Sequence, residues 1–148
     1  MRIALAADHA GFVLKDELAG WLRESGHDVL DLGTNGPDSV DYPEYGAKLA
    51  RAVGSGDADR GIAVCGSGIG ISIAVNRDPK CRCARVDEPI SAALAREHND
   101  ANVIALGARL VGSDMAKACV SAFLGTPFVG GRHQRRVDQL SSLLQDSD

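Results

Sequence analysis

Cys65-Gly66-Ser67-Gly68-Ile69-Gly70 sets a thiol at the end of an apolar run and follows it with three glycines at alternate positions. A thiol can act as nucleophile or base, and glycines let backbone amides approach a ligand closely. Ile62, Ala63 and Val64 read as a short buried strand, and Ile69 to Val75 read as the first turns of a helix. The loop therefore joins a strand end to a helix N-terminus, where an anionic ligand is expected within reach of sulfur. The remaining cysteines, Cys81, Cys83 and Cys119, have neither zinc-ribbon nor C-x-x-C spacing and are expected to be small buried hydrophobes, with Cys81 and Cys83 sharing one strand face.

A second concentration of chemistry lies at Gly130-Gly131-Arg132-His133-Gln134-Arg135-Arg136. Arg132 and Arg136 are four apart at a helix start and project from one face. Cations are unfavourable at a helix N-terminus, so the pair reads equally as a phosphate clamp or as a solvated basic face. His9 follows Asp8 after the first strand, whereas His98 and Asn99 close a helix. Taken singly, His98 reads as a dipole partner and Asn99 as a left-handed cap. The G-x-G-x-G spacing after the third strand does not fit a dinucleotide fingerprint, which is G-x-G-x-x-G after the first.

The elements that must position these residues alternate regularly. Strands are expected at Ile3 to Ala7, Val29 to Leu32, Gly61 to Cys65, Cys83 to Val86 and Val103 to Leu106. Between them, Leu14, Leu18, Trp21 and Leu22 mark a helix closed by Gly26, and Pro43 opens another through Tyr45, Leu49 and Val53. Asp87 is expected to cap a further helix that Pro89 opens. Met115, Cys119, Ala122 and Phe123 mark one more, and a C-terminal helix runs from about His133 to Leu144. Five β-α units in series predict one α/β domain over residues 1–148, a three-layer α/β/α sandwich on a five-stranded parallel, Rossmann-like sheet. Such folds bind ligands beyond the carboxyl ends of their strands, a rim that collects Asp8-His9, the Cys65 loop and Asp87-Glu88. His9 and His98 are both expected where this fold exposes functional groups.

Composition narrows the partners. The chain has 148 residues, a net charge of −4 and 16 basic residues, which argues against nucleic acid. No apolar run approaches the roughly 20 residues needed to cross a bilayer, and the apolar stretch within residues 1–7 is too short for a signal peptide. A cytoplasmic protein is expected, with neither nucleic acid nor membrane as partner.

Five segments together closely resemble the ribose-5-phosphate isomerase B family, which also includes galactose-6-phosphate and allose-6-phosphate isomerases. They are Ala7-Asp8-His9-Ala10-Gly11, Asp41-Tyr42-Pro43, Cys65 to Ser72, Arg96-Glu97-His98-Asn99-Asp100-Ala101-Asn102 and Gly130-Gly131-Arg132-His133. The resemblance runs from Ile3 to about Leu140. It implies an aldose–ketose isomerisation of a sugar phosphate, D-ribose 5-phosphate to D-ribulose 5-phosphate, through an enediolate and with no cofactor or metal. It makes Cys65 the base between C1 and C2, His98 the assistant in ring opening, and Ser67 a hydroxyl donor beside them. Asp8, His9, Tyr42, Asn99 and the loop residues Gly66, Gly68, Ile69 and Gly70 would hold the sugar; Arg109, Arg132, His133 and Arg136 would hold the phosphate. It further implies a homodimer, or a tetramer of dimers, in which His98 and the arginines reach the Cys65 loop from the partner subunit.

Against the family pattern, Ser67 stands for a frequent threonine, Arg85 for a frequent apolar strand residue and Ile90 for a frequent aromatic. Ile71 occupies the place of a glutamate base in a minority branch, which leaves proton transfer to Cys65. Isomerases of six-carbon sugar phosphates or free rare sugars are the neighbouring readings. A non-catalytic phosphosugar-binding module is the reading from another class, and a retained thiol argues against it, since binding alone needs none.

Overall fold

Ile3 to Ala7 and Ile62 to Cys65 carry no polar alternation, the pattern of strands covered on both faces. In the computed structural model, which describes residues 1–144, they lie in the two central strands β1 (Arg2–Ala7) and β3 (Arg60–Cys65). Shorter, half-buried β2 (Asp28–Asp31) and β4 (Cys83–Arg85) take the edges, and β5 (Val103–Gly107) is fully buried. All pairings are parallel, in the order β2-β1-β3-β5-β4. The chain leaves β1 toward β2 and returns past it to β3. The β1/β3 crevice is therefore the topological switch point, with Asp8 and Gly66 as the first residues beyond its two strands.

Among the described residues, six helices complete the layers: α1 (Phe12–Glu24), α2 (Tyr42–Gly54), α3 (Ile69–Val75), α4 (Pro89–Asn99), α5 (Ser113–Gly125) and α6 (Arg132–Ser142). Alternate strand residues feed two cores. Ile3, Leu5, Ile62, Val64, Ile104 and Leu106 meet α1, α4 and α5, whereas Ala4, Ala6, Ala63, Cys65 and Ala105 meet α2 and α3. The small residues on the second face let those helices lie close. Gly46 on α2 is pressed so tightly to α3 that an added Cβ would stand 2.6 Å from that of Ala74. Cys65 therefore projects toward the layer that carries the N-terminus of α3. No helix among the described residues is long and apolar enough to cross a membrane.

Elements expected from sequence appear with ends shifted by one or two residues. Gly26, at φ +91°, closes α1 as expected, with the His27 amide donating to the Leu22 carbonyl. Two caps differ. Glu88, not Asp87, caps α4: its carboxylate accepts from the Ile90 and Ser91 amides at 2.6 and 2.8 Å, while Asp87 turns back to pair with Arg85 at 3.1 Å. The left-handed residue after α4 is Asp100 (φ +47°), not Asn99, which stays helical. Asp100 is held there because its carboxylate accepts from Arg96 and Arg82 at 2.8 and 3.3 Å.

Lys15 breaks the apolar pattern of α1's inner face. Its ammonium is fully buried, 2.7 and 2.8 Å from the two carboxylate oxygens of Asp31 and 2.9 Å from Oδ1 of Asn35. These bonds offset the cost of desolvating the charge and tie α1 to the loop after β2. That loop leads to Val40, which reaches the candidate site.

Candidate active site

A cavity of about 310 Å³ opens at the switch point, lined by Asp8, His9, Ala10, Tyr42, Cys65, Gly66, Ser67, Gly70, Arg109 and Leu110. Each lining group is set by backbone geometry. Asp8 is buried, and its Oδ1 accepts from the Ala10 and Gly11 amides at 3.0 and 3.1 Å, closing the turn after β1. Gly11 must be glycine, because a Cβ there would stand 2.5 Å from the Val64 carbonyl oxygen. His9 Nδ1 meets the Val40 backbone at both its amide, 3.1 Å away, and its carbonyl, 3.2 Å away, accepting from the first or donating to the second according to the ring tautomer.

Cys65 is 4% exposed, and its Sγ accepts a hydrogen bond from the Gly68 amide at 3.1 Å. Gly68 adopts φ +77° and packs on β5, where a Cβ would lie 2.9 Å from the Leu106 carbonyl carbon. The Ile69 amide donates to Ser67 Oγ at 3.2 Å, so the Ser67 hydroxyl keeps its own proton to give away. These two bonds sharpen the expected cradle. The amides of Gly68 and Ile69 are spent inside the loop, whereas those of Gly66, Ser67 and Gly70 have no acceptor among the described residues. Ile69 itself is not a lining residue; its side chain is half exposed.

Tyr42, at the start of α2, lays its ring against Gly70, where a Cβ would come within 2.7 Å of it. Arg109 lies over Gly66, its guanidinium carbon 3.5 Å from where a Cβ would stand, and its amide donates to the Gly66 carbonyl at 3.0 Å. The cavity thus holds one exposed guanidinium beside a thiol and free amides. Of the other thiols, burial pushes those of Cys81 and Cys119 up to about 11 and raises that of Cys83 further, so none of them is poised as a base.

His98, Asn99, Arg132, His133 and Arg136 do not join this cavity within the chain. Helices of β-α units run back against their strands, so α4 delivers His98 to the opposite end of the sheet. There the Gly61 amide donates to the Asn102 carbonyl, and Gly61 is separated from Cys65 by about 13 Å of strand. The expectation that His9 and His98 share one rim therefore fails for a single chain. The far group is nonetheless built. The rings of His98 and His133 stack at 4.5 Å with 12° between planes. Gly130 and Gly131, at φ +72° and +55°, turn the chain so that Arg132 opens α6 beside them. Neither Arg132 nor Arg136 enters a salt bridge among the described residues; both are exposed.

Arg96 escaped the sequence reading. Its buried guanidinium donates to the Thr126 carbonyl at 3.2 Å, to Asp100 at 2.8 Å and to the Ala101 carbonyl at 2.8 Å, which fixes the helix end that presents His98. Its place on the inner stripe with Ala92 and Ala95 was the available signal.

Loss of solvation, then the nearby charges of His98, Arg132 and Arg136, hold the His133 imidazole below its usual range. Its folded midpoint therefore lies below the ~6.5 of an unfolded chain. The stability that neutral His133 contributes is present above that pH and is lost as pH falls through it. An imidazole titration by NMR should find His133 midpoint-shifted downward, and His98→Ala should move it up; an unchanged midpoint in that variant would contradict the coupling.

The family model described as ribose/galactose isomerase matches residues 3–140. Ribose-5-phosphate isomerase B of Escherichia coli is 46% identical over 144 residues, 97% of each chain. Among solved structures, ribose-5-phosphate isomerase B of Clostridium thermocellum superposes with TM-score 0.96 at 48% identity, covering 98% of both chains. The Mycoplasma genitalium enzyme with bound ribulose 5-phosphate superposes with TM-score 0.94 at 37% identity, covering 99% of this chain and 97% of its own.

Proposed function

This chain belongs to the ribose/galactose isomerase family, and from that premise we propose that it interconverts D-ribose 5-phosphate and D-ribulose 5-phosphate through an enediolate. The observation that carries the reading is Cys65 Sγ at the lip of a cavity whose unspent amides belong to Gly66, Ser67 and Gly70. A base beside convergent donors is what carbon deprotonation next to a carbonyl requires.

In the forward direction the thiolate of Cys65 removes the proton from C2. Negative charge then spreads over O1 and O2, where the Ser67 hydroxyl and the free amides receive it, each donor contributing about 3 kcal/mol. Cys65 returns the proton to C1, the hydroxyl proton passes from O2 to O1, and the ketose results. Asp8, His9 and Tyr42 hold the sugar hydroxyls, and Arg109 supplies the first guanidinium for the phosphate.

The missing parts come from a second copy. His98, Asn99, Arg132, His133 and Arg136 form an exposed group at the far end of the sheet, and an isologous dimer would bring two such groups to two cavities. Ile69 and Ile73 on α3 and Leu110 beside the cavity are 51, 50 and 58% exposed, an apolar rim suited to that contact. In the completed site His98 protonates the ring oxygen as the furanose opens, and Arg132 and Arg136 close on the phosphate. The four free cysteines suit a reducing, cytoplasmic setting.

Coupled initial-rate assays on pentose and hexose phosphates test the substrate. We expect kcat/KM for ribose 5-phosphate to exceed that for allose 6-phosphate or galactose 6-phosphate by at least about tenfold, the discrimination one extra carbon supports. Equal or faster turnover of a hexose phosphate would overturn the pentose assignment. Binding with no proton exchange at the carbon beside the carbonyl would overturn catalysis altogether.

A further inference from the structure

Arg85 stands beside the Cys65 loop and is used by neither the mechanism nor the family pattern. It closes edge strand β4, half-buried, and its Nε donates to the Ser67 carbonyl at 2.8 Å, while its Nη1 pairs with Asp87 at 3.1 Å. The Ser67 carbonyl and the Gly68 amide are two ends of one peptide group. The other end donates to Cys65 Sγ at 3.1 Å. Arg85 therefore grips the carbonyl of the very peptide whose N–H addresses sulfur.

Among the described residues, Arg85 is the one donor to the carbonyl of that peptide. Gly68 has no Cβ and accepts φ of either sign, so a flip of the Ser67–Gly68 plane meets no side-chain obstacle at Gly68. A flipped peptide would aim its carbonyl at Cys65 and its amide away, exchanging an attractive dipole at the sulfur for a repulsive one. Gly107 of β5 presses on the same unit, with a Cβ position 2.7 Å from both the carbonyl carbon and the carbonyl oxygen of Ser67, so β5 bounds the peptide on one side. A charged donor on the carbonyl opposes rotation and polarises the N–H at the opposite end. Asp87 holds the guanidinium in place and partly offsets its charge; Asp8, His9, Tyr42 and Arg109 line the same cavity as Cys65.

We propose that Arg85 is a positioning residue for Cys65, acting through the Ser67–Gly68 peptide to keep an amide, and not a carbonyl, directed at the sulfur. The proposal rests on the reading of Cys65 as the base. It also accounts for Arg85 and Asp87 as a pair: the Asp87 carboxylate, of a capping type, is used to hold the guanidinium, and Glu88 caps instead.

The test compares full-length Arg85→Met, Arg85→Gln and Arg85→Lys with the parent protein in three measurements. These are kcat and KM on ribose 5-phosphate, the rate of Cys65 alkylation by iodoacetamide at pH 7 with the site read by mass spectrometry, and thermal unfolding. Arg85→Met is expected to lower both kcat and the alkylation rate about tenfold with KM changed less than about twofold, and Arg85→Lys to recover most of both. Arg85→Gln, a neutral donor, should fall between them and serves if the methionine variant does not fold. A folded variant lacking the donor whose Cys65 alkylates at the parent rate overturns the proposal, whatever its melting temperature. Slowed alkylation with unchanged kcat would instead leave the contact standing and overturn Cys65 as the base.

Discussion

Cys65→Ala is expected to lower kcat about 10⁴-fold, the upper range for loss of a positioned base, while the protein remains folded. The side chain is small and ends a central strand, so removing one sulfur costs about 1 kcal/mol of stability and leaves the sheet intact. Substrate affinity should change little, because Asp8, His9, Tyr42 and Arg109 all remain around the cavity. The check is turnover of ribose 5-phosphate together with solvent deuterium incorporation at the exchanging carbon, run beside circular dichroism of the variant. Both rates should fall together. If turnover and exchange persist near parent levels in a folded variant, the base is another cavity group. Asp8 and His9 are the only other carboxylate and imidazole on the lining, and each already has one polar atom held by the backbone.

The second large effect separates one subunit's contribution from the other's. His98→Ala alone is expected to cost about a thousandfold in kcat on ring-closed ribose 5-phosphate, and much less on an open-chain aldehyde analogue that needs no ring opening. Cys65→Ala and His98→Ala, co-expressed with different tags and isolated as the heterodimer, should then recover about half the parent activity per dimer. One of its two sites receives both mutations and the other receives neither. Recovery is decisive because each homodimer is expected to be nearly inactive. A heterodimer as inactive as its parents would mean that His98 does not serve the partner's Cys65. Equal losses of His98→Ala on closed and open substrates would remove the ring-opening role even if the heterodimer recovered.

Much of this molecule was legible residue by residue. Apolar runs located all five strands, and for β1, β3 and β5 the reason is that a strand covered on both faces cannot carry polar alternation. Gly26 ended α1 and Pro43 sat in the first turn of α2, as their backbone restrictions demand. Local competition between neighbours was less legible. Asp87 and Glu88 are both capping residues by type, and the choice between them depended on Arg85 claiming the aspartate. Asn99 and Asp100 both tolerate a left-handed backbone, and the choice depended on two arginines reaching the aspartate.

The largest gap concerned distance. His9 and His98 were both expected where the fold exposes functional groups, yet only His9 lines the cavity of Cys65, because α4 runs back against its strand and leaves His98 at the other end. The strand order β3-β5-β4 was likewise invisible, and only that order sets β5's Gly107 against the Ser67 peptide with Arg85 of β4 at its carbonyl.

By itself, the sequence determined the α/β alternation, the thiol at a strand end and the glycine loop after it, since periodicity, caps and turn residues act within a few positions of one another. Tertiary structure alone decided which amides of that loop stay free, which arginine stands behind the sulfur and which histidine faces away. Those outcomes depend on strand order and helix direction, which are set when the whole core is buried at once.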